Sequence, residues 1–389
     1  MFTMEGSKRR EPSQRDGIGE PSSSWDGTLT PFEQANYFSS YEFLIHQKEM
    51  LEDTVRMEAY HSAITGPNAL NFEGKVVLDV GAGTGILAFF AAQAGARKVY
   101  AVEATNAAKL AKKLAARNNL EKVVTVIQGT IEEVELPEKV DVIVSEFMGH
   151  FLLRESMLDS VLYARDKYLK SGGAIYPSSA RMYLAPASCK DMNSQGEAFS
   201  EEIQKWDEFL DRTREAYGLN FRCLSGTFVK EADEYFLGTS KGVELEPSEL
   251  IGPAVCVKKI DLLKASMDDV RSVSQDFTMD ISCEDEDKPL LTMFVGWFSV
   301  QFDGSPYNPP LIEVECSNEP REDLDTHWGQ EAFLVNPPIT LRNGDKIKGH
   351  FEMFRKPDNW RLYDVNLDYS TRSADGKEVI KHSTQYHME

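Results

Sequence analysis

The chain has 389 residues, 41% of them hydrophobic and 27% charged, with 42 basic side chains against 63 acidic ones and a formal net charge of −21. Such acidity argues against a protein whose main task is to hold a nucleic-acid backbone; it suits solubility and attraction of positively charged peptides, and equally a solvated acidic surface with no special partner. The length suits two ordinary domains.

Five cysteines are scattered without a CxxC pair or a metal-type spacing, and an odd number cannot all pair internally. A reduced interior, in the cytoplasm or nucleus, and no metal are therefore expected. No run approaches about 18 apolar residues and the N-terminus lacks an apolar core, so neither a membrane span nor a signal peptide is expected.

Residues 1–30 are rich in Ser, Gly, Pro and charge and read as a disordered tail. Residues 31–66 follow as N-terminal helices, because from Tyr37 to Ala63 apolar residues recur at three- and four-residue spacing without turn residues. From Lys75 the rhythm changes. "KVVLDV", "KVYAVEA", "VVTVIQG" and "KVDVIVSE" read as strands, alternating with the helix formers "ILAFFAAQAG", "NAAKLAKKLAARNN" and "SMLDSVLYARDKYL". That alternation predicts an α/β domain with a doubly wound, Rossmann-like parallel sheet over residues 67–178. Beyond Ser178 segments such as "FVGWFSVQFDG" alternate with period two, predicting an antiparallel sandwich or barrel over residues 179–389. Inside it, "AFSEEIQKWDEFLDRTREAYGL" puts Phe199, Ile203, Trp206, Leu210 and Tyr217 on one helical face. That helix must cover its own sheet or a second subunit.

"VLDVGAGTGIL" sets Gly81, Gly83 and Gly85 at the end of the first strand, where glycines let a ligand approach the backbone. A dinucleotide fingerprint needs glycine where Ile86 stands, and no Lys-Ser/Thr pair follows as in a P-loop. With Asp79 before the loop and Glu103 ending the second strand, where an acid accepts ribose hydroxyls, the pattern suits a nucleoside without phosphates, such as S-adenosylmethionine. Then "SEFMGHFLLRESM" carries Glu146 and Glu155 in mostly apolar surroundings. Two carboxylates behind such a loop suit the planar, five-donor guanidinium, which they bind bidentately. The plain alternative is a structural salt bridge of either acid with Arg154 or Arg165.

With these segments in view, the chain resembles the protein arginine methyltransferases, most nearly a plant member of the group that makes asymmetric dimethylarginine (type I). "YFSSY", "LDVGAGTGIL", "ARKVYAVEA", "EEVELPEKVDVIVSE", "ESMLDSVLYARDKYL" and "THWGQ" stand in family order across roughly residues 31–370. The resemblance implies a cofactor domain closed by the N-terminal helices, then a β-barrel with an inserted dimerisation arm at about 190–225, forming a homodimer around an acidic cavity. It implies S-adenosylmethionine as cofactor, with Arg56 on its carboxylate, Asp79, Gly81 and Gly83 lining its pocket, Glu103 on the ribose, and Ile131 and Glu132 facing the adenine. Glu146 and Glu155 would clamp the substrate guanidinium. His327 would pair with Asp53 as a tie to the barrel or a proton relay, and Tyr41 would close over the site. Met50 and Met157 would flank the reacting nitrogens, and Trp328 with His150 would position substrate. The implied substrates are Arg-rich proteins, either Arg/Gly-rich segments or histone tails.

Three places depart from the family pattern. Phe147 replaces a tryptophan, His150 replaces a tyrosine, and one extra residue lies between His46 and Met50, which unsettles the contact of His46. The acids beside His150 are expected to raise its titration above the ordinary histidine range, near 6.5. Two rivals stay open: a scaffold of the same fold without turnover, and a small-molecule methyltransferase.

Overall fold

The structure is a computed structural model describing residues 38–39, 41–283, 289–303, 313–316, 326–373 and 379–388, without the side chains of 190–195 and 379. The tail expected at 1–30 lies outside the described residues.

Two helices lead in, α1 (Leu44–Glu52) and α2 (Thr54–Ile64). The sequence reads as one helical run, but the chain breaks at Asp53, whose backbone is extended and whose carboxylate accepts the Arg56 N–H at 2.9 Å. An aspartate in that place caps the second helix and stops the first.

The parallel sheet holds β1 (Val76–Val80), β2 (Lys98–Glu103), β3 (Val124–Gln128), β4 (Val140–Val144) and β5 (Leu169–Tyr176). Between them run α3 (Ile86–Gln93), α4 (Ala107–Arg117) and α5 (Leu158–Tyr168). Every residue of β1 is buried, as a strand covered on both faces requires. In α4 the alanines 107, 108, 111 and 115 are buried while Lys109, Lys112 and Lys113 face out. Strand order is β3-β2-β1-β4-β5. The order reverses direction between β1 and β4, so a crevice opens beyond their carboxyl ends. The glycine loop leaves β1 there, and Glu146 follows β4.

The second half is antiparallel. One sheet joins β6 (Ser179–Ala187), β7 (Lys241–Val243), β8 (Val255–Asp261), β10 (Leu290–Gln301), β11 (Glu313–Glu315) and β12 (Gln330–Thr340). The short α8 (Met267–Arg271) leads into the other sheet, β9 (Ser272–Asp280), β13 (Lys346–Arg355), β14 (Tyr363–Arg372) and β15 (Val379–Met388), ordered β15-β14-β13-β9. Phe294 meets Tyr369 at 4.9 Å and Phe333 meets Tyr386 at 5.4 Å between the two sheets. The Ser240 N–H donates to the His387 carbonyl across their edges, giving a barrel-like closure rather than an open sandwich.

The arm is larger than the sequence predicts. It comprises α6 (Lys190–Tyr217) and α7 (Ser225–Phe236), reaching 236 rather than about 225. Trp206 stacks on Phe228 at 4.2 Å and donates to Ser225 Oγ at 3.0 Å. Around Trp206 the apolar face of α6 is thus covered by its own hairpin partner, while the helix also packs against strands β10 and β12 of its own sheet. Tyr217 leaves that face: it ends the helix before Gly218, in the left-handed region, and is 75% exposed.

Candidate active site

A cleft of about 340 Å³ lies beyond β1 and β4. Gly81, Gly83, Glu103, Ile131, Glu132 and Arg56 all line it. At Gly81 (φ +71°) a Cβ would stand 2.6 Å from Met157 Cε, so only glycine keeps the loop open there. Glu103 fixes the loop, accepting Gly83 N–H at 2.8 Å on one oxygen and Thr105 N–H at 2.7 Å on the other. Each oxygen retains a lone pair for a ligand hydroxyl. Glu132 on the opposite wall accepts from Ser160 Oγ at 2.7 Å.

Asp79 departs from expectation. It does not line the cleft but sits fully buried behind the loop, where one oxygen accepts the Ala88 N–H of α3 at 3.0 Å. The N-terminal residue of that helix boundary, Gly85, has no side chain to cap it, so Asp79 caps α3 from the neighbouring strand. Burial, with the Glu103 charge adding to it, pushes its carboxyl up to about 7, against the pull of the Ala88 hydrogen bond.

Arg56 is buried, and its Nη1 donates to the Met50 carbonyl at 2.8 Å. Its Nε has no hydrogen-bond partner and lies 3.5 Å from Glu146 Oε2. A buried guanidinium on the wall of a nucleoside-sized cleft, its Nε ion-paired with Glu146 but making no hydrogen bond, fits the carboxylate end of S-adenosylmethionine.

A second cleft, about 330 Å³, runs along Tyr41, His46, Glu49, Gly149, His150, His327 and Trp328. Met50, Met148, Glu146 and Glu155, with Tyr41, belong to the walls of both clefts. The two carboxylates therefore stand where the spaces meet. Glu146 accepts the Met148 N–H at 2.9 Å, and burial raises its carboxyl above the ordinary range despite the charges of Arg56 and His327. Glu155 accepts the Tyr41 hydroxyl at 2.6 Å. Neither acid pairs with Arg154 or Arg165 among the described residues. Arg165 instead pairs with Asp166 and donates to the carbonyls of Leu262 and Ala265.

His327 Nδ1 lies 2.6 Å from Asp53 Oδ2, and the same oxygen accepts the His327 N–H at 3.1 Å. Burial pulls the Asp53 carboxyl up, but the bonds from His327 and Arg56 outweigh it and hold the carboxyl below its usual value. Trp328, buried, packs on the His327 ring at 4.1 Å and donates to the Met148 carbonyl at 2.8 Å.

Comparison with known proteins bears on this geometry. The family described as arginine methyltransferase oligomerization subdomain matches residues 178–374, and a methyltransferase domain matches residues 71–221. Protein arginine N-methyltransferase PRMT10 of Oryza sativa subsp. japonica is 47% identical over 91% of this chain and 92% of its own. PRMT10 of Arabidopsis thaliana is 43% identical over 96% of both chains. The chain belongs to the protein arginine methyltransferases. A crystal structure of Arabidopsis thaliana protein arginine methyltransferase 10 superposes with TM-score 0.86 at 42% identity, covering 91% of this chain and all of that one. A Trypanosoma brucei PRMT1 enzyme-prozyme complex with AdoHcy does so with TM-score 0.73 at 27% identity, covering 90% of this chain and all of that one. The chain is an S-adenosylmethionine-dependent enzyme that methylates protein arginine, with an oligomerisation subdomain.

In this methyltransferase Met157 lies in the donor cleft only, whereas Met50 faces both spaces. His46 lines the second cleft despite the extra residue, with Nδ1 3.2 Å from Glu49. His150 corrects the expectation of a raised titration. Its Nδ1 is 3.2 Å from the Trp328 carbonyl, and its titration is lowered, first by burial and then by the Arg154 charge, against the opposing pull of Glu155.

The sequence reading also passed over residues of this methyltransferase that shape the site. Gln47, buried, donates to the Tyr41 carbonyl at 3.0 Å and roofs Gly83. A buried polar residue in α1 was the available signal. Trp360 and Arg361 reach the donor cleft from the barrel, and nothing local in "DNWRLYD" announces it.

Proposed function

We propose that the enzyme is of the type that forms mono- and asymmetric dimethylarginine on flexible, Arg-rich protein segments such as Arg/Gly-rich stretches or histone tails. The observation that carries this is the shared wall, where Glu146 and Glu155 stand at the junction of a donor cleft and an open channel with Met50 between them.

Glu146 and Glu155 take the guanidinium's N–H groups, concentrating its charge on one side and leaving the far nitrogen to face the donor cleft. Arg56, Glu103 and the glycine loop hold the donor, which supplies an electrophilic methyl on a cationic sulphur. The nitrogen would gain the methyl as the carbon–sulphur bond breaks and its electron pair stays on sulphur as a neutral thioether, and it would shed a proton. Glu146 receives it, since burial raises its affinity for protons. His327, close enough to act on Glu146 electrostatically and held by Asp53, relays it outward. Positioning and charge supply most of the acceleration. Met50, packed at the junction, crowds the approach of a nitrogen that already carries a methyl unless it returns to the same side, and this supports the asymmetric product.

The arm supports a homodimer: Leu219, Leu224, Val229 and Tyr235 are exposed apolar side chains on it or beside it. An odd number of cysteines without a CxxC spacing supports a reducing compartment, cytoplasm or nucleus. The test is mass spectrometry of an Arg/Gly-rich peptide after turnover. Fragments characteristic of asymmetric dimethylarginine are expected. Symmetric dimethylarginine would overturn the product assignment, and an unmodified peptide with donor bound would make the chain a scaffold.

A further inference from the structure

Glu155 sits in a contorted loop. Phe151 (φ +48°), Leu152 (+67°), Glu155 (+76°) and Ser156 (+58°) all occupy the left-handed region without being glycine. Such conformations persist only where the surroundings over-determine them. For Glu155 the surroundings are the β13–β14 hairpin of the barrel. The Glu155 N–H donates to the Arg361 carbonyl at 2.8 Å, and Arg361 Nη1 donates back to the Glu155 carbonyl at 2.7 Å. Next to it, Ser156 Oγ donates to the Trp360 carbonyl at 2.7 Å.

Of these three bonds, one depends on a hairpin side chain, that of Arg361. The same guanidinium lies over the Trp360 ring at 4.5 Å and over the Phe38 ring at 5.5 Å. Phe38, Trp360 and Arg361 also line the donor cleft. One cation thus touches the N-terminal cover, the barrel tip and the backbone of a clamp residue. Its contacts among the described residues include the peptide group of Glu155 and two rings, and through that peptide group it acts on the geometry of the acid.

We propose that Arg361 is a positioning residue that fixes the direction of the Glu155 carboxylate and links it to the closure of Phe38 over the donor. The inference rests on the reading of Glu155 as a guanidinium clamp. With the hairpin bond gone, the strained backbone relaxes and the carboxylate swings from the line of attack, while the donor keeps Glu103, Arg56 and the glycine loop. The linkage is reciprocal, so a filled donor cleft tightens peptide binding in the wild type and does so less in the variant.

The experiment is a double-mutant cycle on the full chain with an Arg/Gly-rich peptide. Arg361→Met keeps length and apolar bulk but removes the donor. A fall in kcat between about tenfold and hundredfold is expected, the scale of a small misplacement, with donor Kd from calorimetry within about threefold. In a Glu155→Gln background the same change should cost less than about twofold, because both act through one group. Arg361→Lys, which can still reach the carbonyl, should recover part of kcat, and it carries the cycle if Arg361→Met does not fold. Multiplicative losses in the double variant, an unchanged kcat, or a loss confined to donor Kd would each overturn the proposal. If Glu155→Gln alone retains turnover, the clamp reading fails instead, whatever Arg361 does.

Discussion

The hydroxyl of Tyr41 donates to Oε2 of Glu155 at 2.6 Å, so a residue preceding the first described long helix already engages an acid that belongs to the junction of the two clefts. The acid is oriented before a guanidinium arrives. Such preorganisation is what makes a charged partner effective at the moment of reaction.

Glu155→Gln keeps the size and the Tyr41 bond but removes a charge. At least a hundredfold loss of kcat is expected, roughly 3 kcal/mol, with donor affinity little changed. Retention of more than a tenth of wild-type turnover on peptide would remove Glu155 from the clamp.

His150→Tyr tests the departure from family pattern. Burial lowers the titration of His150, so at neutral pH the ring is uncharged, and its Nδ1–H can donate one hydrogen bond to the Trp328 carbonyl as a phenol would. Protonation adds a cation beside the site for guanidinium and sulfonium. The kcat/KM for peptide should therefore climb with pH through a step lying below about 6.5, and His150→Tyr should abolish that step. Identical pH profiles for the two proteins would make His150 a bystander.

Asp79 gives a prediction about stability. Its folded carboxyl titrates near 7, above the ordinary 3.8, so between those values the folded state holds the proton that the unfolded chain releases. Its contribution is most favourable below the unfolded pKa and is lost as pH rises toward 7, a swing on the order of 4 kcal/mol. Asp79→Asn should flatten the rise of urea midpoint on acidification across that window. Because Asp79 backs the loop without lining the cleft, donor Kd should stay within about threefold. A large fall in donor affinity with an unchanged pH profile would return Asp79 to the pocket wall.

The arm separates two kinds of aromatic residue. Trp206 stacks within its own hairpin, while Tyr235 is 70% exposed. Tyr235→Glu should give monomers with an intact arm by sedimentation, since an interface tolerates a buried charge poorly. Trp206→Ala should loosen the arm and speed its proteolysis first. A monomeric Trp206→Ala beside a dimeric Tyr235→Glu would reverse these roles.

Four strands of the parallel sheet were legible because they are short apolar runs, two of them closed by glycine, while the fifth, "LKSGGAIY", has no such run; the cofactor was legible because Gly81, Gly83 and Glu103 stand at strand ends. These signals are local. The second helix of the arm was missed because "SGTFVKEADEYF" is polar and its few aromatics face another helix rather than a sheet. His150 was misjudged because sequence shows the neighbouring acids but not the burial that outweighs them. Arg361 lies 206 residues from Glu155, and such a contact exists only once the barrel has folded against the sheet.

The hairpin bonds to Glu155 bear on how this chain could be divided or recombined. A fragment ending near Ser178 would contain the glycine loop and both acids by sequence, yet part of the donor cleft, at Trp360 and Arg361, and the fastening of one acid lie in the other half. Grafting this barrel onto a different donor-binding module would transplant half of a clamp. The two halves are thus expected to vary together: a change in the loop after β4 asks for a matching change at the tip of β13 and β14, and a chain that exchanged one without the other would keep a fold that takes up donor and turns over slowly.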